Sequence, residues 1–457
     1  MARDLRSHIA ANAGLVLRVP KPVRREHLSV LIVQARRPVL FERIEECPGW
    51  RVCDLLFRDR AAQAGVLGTT PDKVTEVLGA RLTLPPLPTR TVSPPAHFGA
   101  VREAGAFDLR DFPIFRHGAR DPLPALIVMN VCRAPDGGPA NFSFTRMTPF
   151  EAGRATMLIG SSPHQRAILA QWEARGEPMP MACVVGTHPA YEIMASYSVP
   201  EHLGEFGELD LVGNLLGETV ELMDCRTVPL QVPAHAELVI EGHVLPRVRR
   251  DDGPGPSQAL YYLPGVTRQP VFEATLMMAR AEPILRQHDT LTYSDHQPLI
   301  SLPHEALMLT RLRSAGHDVL DVFYVPWGGT LACVVQIVPQ TGGEARELLA
   351  SLLDVRWPNC RLAIAVDADV DIGSPEDLVW SLATRVDPER DLVMLSGAKG
   401  HPIDPTARQK GSDPRDVVTN KWAIDATRPP VADPAGRARF ERTEPPGRGA
   451  VSLEDYL

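Results

Sequence analysis

Two hydrophobic patterns meet near residue 300 of this 457-residue chain and narrow the folds open to it. From about 120 to 300, short apolar runs are bounded by turn residues. They include Leu126–Cys132, Met181–Val185, Glu237–Glu241 and Val271–Leu276, with Tyr261-Tyr262 and Ile284-Leu285 continuing the series. Runs this short, cornered by Pro135-Asp136-Gly137-Gly138 and Pro233-Ala234, are strands, so the block reads as a barrel or split barrel. One helical pattern interrupts it, from His164 to Arg175, and stops at Gly176. From 318 onward strand and helix alternate: Val319–Val325 and Leu331–Val338, a helix over 343–355, Cys360–Val366, a helix over Asp377–Thr384, and Leu392–Leu395. Such alternation predicts a separate α/β domain.

The N-terminal part is mixed. Residues 3–12 look helical, Pro38–Ile44 and Val52–Leu56 read as strands, and Thr70-Pro71 places a cap and a first-turn proline before a helix. Leu82 to Pro95 is a Pro-rich connection, and Pro303-His304-Glu305-Ala306 predicts the start of a linking helix. The expected fold class is α+β. An N-terminal α/β segment (1–118) precedes a central split β-barrel (119–302), a linker helix (303–317), a C-terminal α/β domain (318–430) and a flexible Pro/Gly-rich tail (431–457).

Several function classes drop out. A net charge of −8 without a dense Lys/Arg block argues against a nucleic-acid binder. No stretch approaches 18 consecutive apolar residues, so no membrane span is expected. The first residues lead into a mixed amphipathic stretch and not a signal sequence. Seven scattered cysteines, never spaced as C-x-x-C, predict free buried thiols and a cytoplasmic location, with no zinc or iron–sulfur site. No strand is followed by G-x-G-x-x-G, and neither a P-loop nor a G-x-S-x-G elbow is present. Asp367–Asp371 imitates a calcium loop for three residues but lacks its Gly and distal Glu, and reads as a loop after a strand.

What remains is a polar set in the barrel block: Asn141, Arg146, His164, the acids from Glu208 to Asp210, and Asp251-Asp252. An amide, an imidazole and a carboxylate suit a divalent ion such as Mn²⁺. Arg146 is within side-chain reach of an anion held there. Taken singly, each has a commonplace explanation: a turn residue, a surface arginine, a helix-end histidine, exposed acids.

Longer runs join them. Val232-Pro233-Ala234-His235-Ala236-Glu237-Leu238-Val239-Ile240-Glu241-Gly242, Pro38–Glu42, Glu177–Ala182, Asp367–Asp371 with Ser374–Asp377, Ala383–Pro388 and Asn420–Thr427 occur in order. In these runs the chain, up to about Pro430, resembles the UbiD-type decarboxylases, which depend on prenylated FMN. The resemblance implies a central FMN-binding barrel and a C-terminal oligomerisation domain. It makes Asn141, His164 and Asp210, with Glu208 as a nearby substitute, the ligands of Mn²⁺ or another divalent ion at the flavin phosphate, with K⁺ a further candidate. Ser143, Phe144, Arg146 and Lys421 become flavin contacts.

The chain departs from the pattern at Asp252-Gly253-Pro254-Gly255-Pro256-Ser257, where the family carries one Glu at each end. Asp252 would hold Arg146 in place, but Ser257 stands where the proton donor is expected, and an alcohol is far too weak an acid. Water held by Ser257, His288 or His296 would then supply the proton. The implied activity is reversible, non-oxidative decarboxylation of an aromatic, heteroaromatic or α,β-unsaturated acid. Arg146, Asp252 and Ser257 are its catalytic candidates. The alternative is a flavin-binding homologue that is catalytically altered or serves a larger complex. A flavin prenyltransferase would supply the cofactor, and the assembly would be a homo-oligomer, dimer or hexamer.

Overall fold

The computed structural model describes residues 3–159, 163–197, 199, 206–263, 265–291, 294–353, 360–411 and 416–443. The chain divides into two compact units: residues 1–307 with 326–330, and residues 308–325 with 331–457.

The first unit is built on a closed barrel of six strands, as the short apolar runs predict. Leu126–Cys132 pairs with Asn141–Glu151, which pairs with Arg154–Met157 and through it with Thr267–Ala279. Thr267–Ala279 pairs with Leu238–Asp252, and Met179–Val185 closes the ring between that strand and Leu126–Cys132. Side chains alternate along each strand, which sorts them into two cores. One core draws on all six strands, with Val128, Met147, Ala155, Met181, Ile240 and Phe272, and is the barrel interior. The other holds Met129, Val131, Phe142, Val184 and Val239 against the helices Arg60–Leu67, Val74–Leu82, Pro189–Ala195 and Glu208–Leu216. Covered on both faces, Leu126–Cys132 and Met179–Val185 are buried at every position.

The N-terminal residues are part of this unit, and the boundary expected at 118 does not separate compact bodies. Arg51–Asp54 pairs in parallel with Ile284–Arg286, and Ala100–Glu103 extends the barrel sheet alongside Leu276–Ala279. The helix expected over residues 3–12 is present as Leu5–Ala11, capped reciprocally by Asp4 and Ser7.

Two further expectations change. The linking helix spans His296–Ser314 and carries Pro303 inside it. Pro303 therefore lies about two turns into the helix and not at its start. The second unit is the expected α/β domain. Its sheet runs in the order Val319–Tyr324, Ala332–Ile337, Leu362–Val366, Val417–Ala426, Leu392–Lys399. The first part of the supposed tail belongs to it. Val431 and Ala432 donate backbone N–H groups to Pro339 and Gln340, Arg437 reaches Asp367 at 2.7 Å, and Arg442 grips Asp377 at 2.8 Å. Residues 444–457 lie outside the described residues. All seven cysteines are free and six are buried, as expected. Among the described residues, no helix is long and apolar enough to cross a membrane.

Candidate active site

The strand Asn141–Glu151 carries four of the nine predicted site residues, Asn141, Ser143, Phe144 and Arg146, because alternate side chains of one extended segment are brought out beside different neighbours. Arg146 donates from Nη2 to Asp252 Oδ1 at 2.8 Å. Asp252 Oδ2 accepts from Thr148 at 3.2 Å and Thr156 at 2.8 Å. Both partners are shielded, with side chains 14% and 2% exposed, so the pair is a charge-assisted contact in low dielectric and not a surface ion pair. Gly255 lies against the other side of the guanidinium: a Cβ added there would overlap Arg146 Nη1 and stand 2.9 Å from its Cζ. Ser257 is buried in the same loop, its backbone N–H bonded to Tyr261 O at 2.8 Å.

At the start of the strand, Asn141 is buried and donates to Ser143 Oγ at 3.0 Å. The acid that comes beside it is Glu208, whose Oε2 accepts the Phe142 N–H at 2.9 Å. Burial pushes Glu208 up to about 7, and Asp210 adds to the rise. No basic side chain pairs with Glu208 among the described residues. A desolvated carboxylate without a counter-charge is the partner a cation lacks, so this end of the site fits a divalent ion. Asp210 is used otherwise. Its Oδ2 accepts the Gly207 N–H at 2.8 Å, capping the helix that begins at Glu208.

His164 is exposed at the start of the helix Pro163–Arg175, and the described contacts do not join it to Asn141 or Glu208. The next residue does tie that helix to the site strand. Gln165 Nε2 donates to Asn130 Oδ1 at 2.6 Å and Thr145 donates to Gln165 Oε1 at 3.1 Å, while Asn130 donates to Ser143 O and Thr145 Oγ1 at 2.9 Å. Lys421 belongs to the second unit, on Val417–Ala426, where its Nζ donates to Leu353 O at 2.9 Å.

Phe144 meets the His288 ring edge-on, with centroids 4.8 Å apart. Behind it is a buried network that sequence reading missed. Arg286 bonds Asp54 at 3.0 Å, Asp295 at 2.6 Å and Glu192 at 3.1 Å, all essentially without solvent exposure. Burial, with Arg286 and His296 nearby, pushes His288 well below its ordinary range, and burial takes His296 down to about 4. Both rings are therefore neutral near pH 7, which removes them as ready proton donors.

Burial raises Glu192 to about 7 and Asp289 to about 7. The unfolded chain releases these protons at ordinary carboxyl values, so between those values and about 7 the folded state binds more protons. The contribution of these groups to stability is thus largest at low pH and falls as pH rises to about 7. A Glu192→Gln variant is expected to show a shallower decline in melting temperature between pH 5 and 7 than the parent. Equal slopes would show that Glu192 does not titrate in this window.

Comparison with known proteins decides the family. Residues 90–292 match the 3-octaprenyl-4-hydroxybenzoate carboxy-lyase Rift-related domain, UbiD, and residues 297–426 match its C-terminal domain, UbiD_C. The chain belongs to the UbiD family. The chain is similar to the UbiD-class enzyme HmfF from Pelotomaculum thermopropionicum, solved in complex with FMN, with a TM-score of 0.90 and 30% identity over 100% of both chains. An evolved dimeric form of HmfF with prFMN gives a TM-score of 0.85 at 28% identity, again over 100% of both chains. Among curated relatives, anhydromevalonate phosphate decarboxylase of Methanothermobacter thermautotrophicus is 29% identical over 75% of this chain and 78% of its own length. Gallate decarboxylase of Lactiplantibacillus plantarum is 29% identical over 62% of this chain and 61% of its own length.

Proposed function

We propose that this UbiD-family chain is a prenylated-FMN-dependent carboxy-lyase acting on an aromatic, heteroaromatic or α,β-unsaturated acid. The observation that carries the reading is the shielded Arg146–Asp252 pair. A non-catalytic homologue has no need to hold a guanidinium in place with a buried carboxylate, two threonine hydroxyls and a glycine pressed against it. When bound, the modified flavin supplies an electron sink for the carbon that loses CO₂. The chain's own residues do the rest: Arg146 orients the substrate carboxylate, and Asp252 keeps Arg146 from turning toward water. Ser143 and Phe144 border the cofactor.

For the ion at the flavin phosphate, the ligands proposed here are Asn141, His164 and Glu208. Glu208 takes the place given to Asp210 because its carboxylate reaches the strand at the Phe142 N–H, next in sequence to Asn141, while that of Asp210 caps its own helix. Mn²⁺ fits this oxygen and nitrogen set. Glu208→Gln is expected to lower bound manganese at least about tenfold and Asp210→Asn to leave it near parental levels, read by metal analysis of purified protein. The reverse order would return the ligand to Asp210.

Assembly as a homo-oligomer through the C-terminal unit is part of the proposal. Its support is an exposed apolar strip on the sheet, where Met394 and Trp422 are register partners. The activity is tested by co-expression with a flavin prenyltransferase and anaerobic purification. The bound-flavin spectrum is then recorded, and CO₂ release from gallate, 3,4-dihydroxybenzoate, vanillate and unsaturated acids is followed. Modified flavin with turnover supports the reading, whereas bound modified flavin with no turnover of any acid favours the catalytically altered homologue.

A further inference from the structure

Decarboxylation replaces a C–COO⁻ bond by C–H, and so far no side chain supplies the proton. Ser257 is too weak an acid, and His288 and His296 are neutral. The loop that lacks the acid is not alone, however. Residues 116–124 form a second loop, closed at its base where Phe115 bridges Ala125. It is clamped onto the first through Tyr262, the bridge partner of Pro256. The Arg120 N–H donates to the Tyr262 hydroxyl at 3.0 Å, and the Arg120 guanidinium lies 5.1 Å over the ring. Gly118 packs so closely that a Cβ would stand 2.6 Å from the same hydroxyl.

Asp121 sits in this second loop, 4% exposed. Its two oxygens are in different situations. Oδ2 accepts the His117 and Gly118 N–H groups, each at 3.0 Å, which fixes the plane of the carboxyl. Oδ1 is buried and has no hydrogen-bond partner among the described residues. An orphaned carboxylate oxygen is costly, whereas the same oxygen carrying a proton is a positioned donor. Arg146 and Asp252 are both close enough to act electrostatically on Asp121.

We propose that Asp121 is the catalytic acid of this site, its Oδ1–H delivering the proton to the substrate carbon from which CO₂ departs. The assignment rests on the decarboxylase reading. The electron pair of the broken C–C bond ends in the new C–H bond, and the Asp121 carboxylate regains its proton from water. In sum, R–COO⁻ and H⁺ give R–H and CO₂. Burial and the charge of Asp252 favour the protonated form, while Arg146 and the two backbone N–H groups oppose it. His117, whose ring is held neutral by burial, and Asp289, which feels the Asp121 charge, are the remaining titratable neighbours.

Asp121→Asn separates acid from anchor, because the amide oxygen can still accept both N–H groups but the side chain cannot release a proton. In the prenylated-FMN-loaded enzyme, with gallate, 3,4-dihydroxybenzoate and vanillate as probes, Asp121→Asn is expected to keep its melting temperature, flavin spectrum and exchange of labelled CO₂ into the substrate. Product formation should fall about 10²-fold or more, and Asp121→Glu should recover part of it. Product formation within a few-fold of the parent, or equal loss of CO₂ exchange and product formation, would overturn the assignment. A second readout needs no cofactor. The infrared difference between parent and Asp121→Asn should contain a protonated-carboxyl band above the ordinary aspartate range of pH, and its absence overturns the proposal. A parent that neither exchanges CO₂ nor turns over any probe counts against the decarboxylase reading, while the infrared band still decides the state of Asp121.

Discussion

Replacing Arg146 by alanine is expected to cost about 3–5 kcal/mol of folding stability and to slow decarboxylation by about 10²–10³-fold. The stability loss follows from what remains. Asp252 is 5% exposed, and without the guanidinium at 2.8 Å its charge is left with two threonine hydroxyls. Urea unfolding of the cofactor-free protein reads this loss apart from activity. Adding Asp252→Asn to Arg146→Ala removes the stranded charge and should restore most of the stability while leaving activity low. If the single variant unfolds like the parent, the pair is not buried in solution as it is here. If it decarboxylates like the parent, Arg146 does not orient the substrate.

Gly255→Ala should be nearly as damaging to catalysis by a different route. The φ of Gly255 lies outside the left-handed region, so alanine strains no backbone there. What it does is occupy the space of the Arg146 guanidinium, whose Cζ would be 2.9 Å from the new methyl group. The arginine must shift, and a displacement of about 1 Å in an orienting group costs on the order of 10²-fold in rate. Flavin and metal content should stay at parental levels, and the overpacking should cost about 1–3 kcal/mol. Activity within twofold of the parent would show that the guanidinium can move without consequence.

The barrel, the α/β unit and the chemistry of one loop were legible in the chain alone. Strand alternation and helical spacing are local periods, and Asp252-Gly253-Pro254-Gly255-Pro256-Ser257 is a contiguous run whose missing acid can be read directly. The partnership of Arg146 and Asp252 was likewise legible through the resemblance, although the two are 106 positions apart. Where local signals competed, they misled. Pro303 marks a helix start by residue type yet lies inside His296–Ser314, and a Pro/Gly-rich composition hid the anchoring of Arg437 and Arg442.

Choosing between neighbours of the same type required the packed fold. Glu208 and Asp210 are two residues apart on one helix turn, and which carboxylate reaches the strand at Phe142 depends on how that helix meets it. The Gln165–Asn130 link and the three acids around Arg286 join residues as far as 35 and 232 positions apart, with no local pattern to announce them. Asp121 stands before Pro122 with no sequence motif around it to mark it. Its burial, its single anchored oxygen and its closeness to Arg146 come from the docking of two loops through Tyr262, a long-range contact whose energy no short stretch of chain contains.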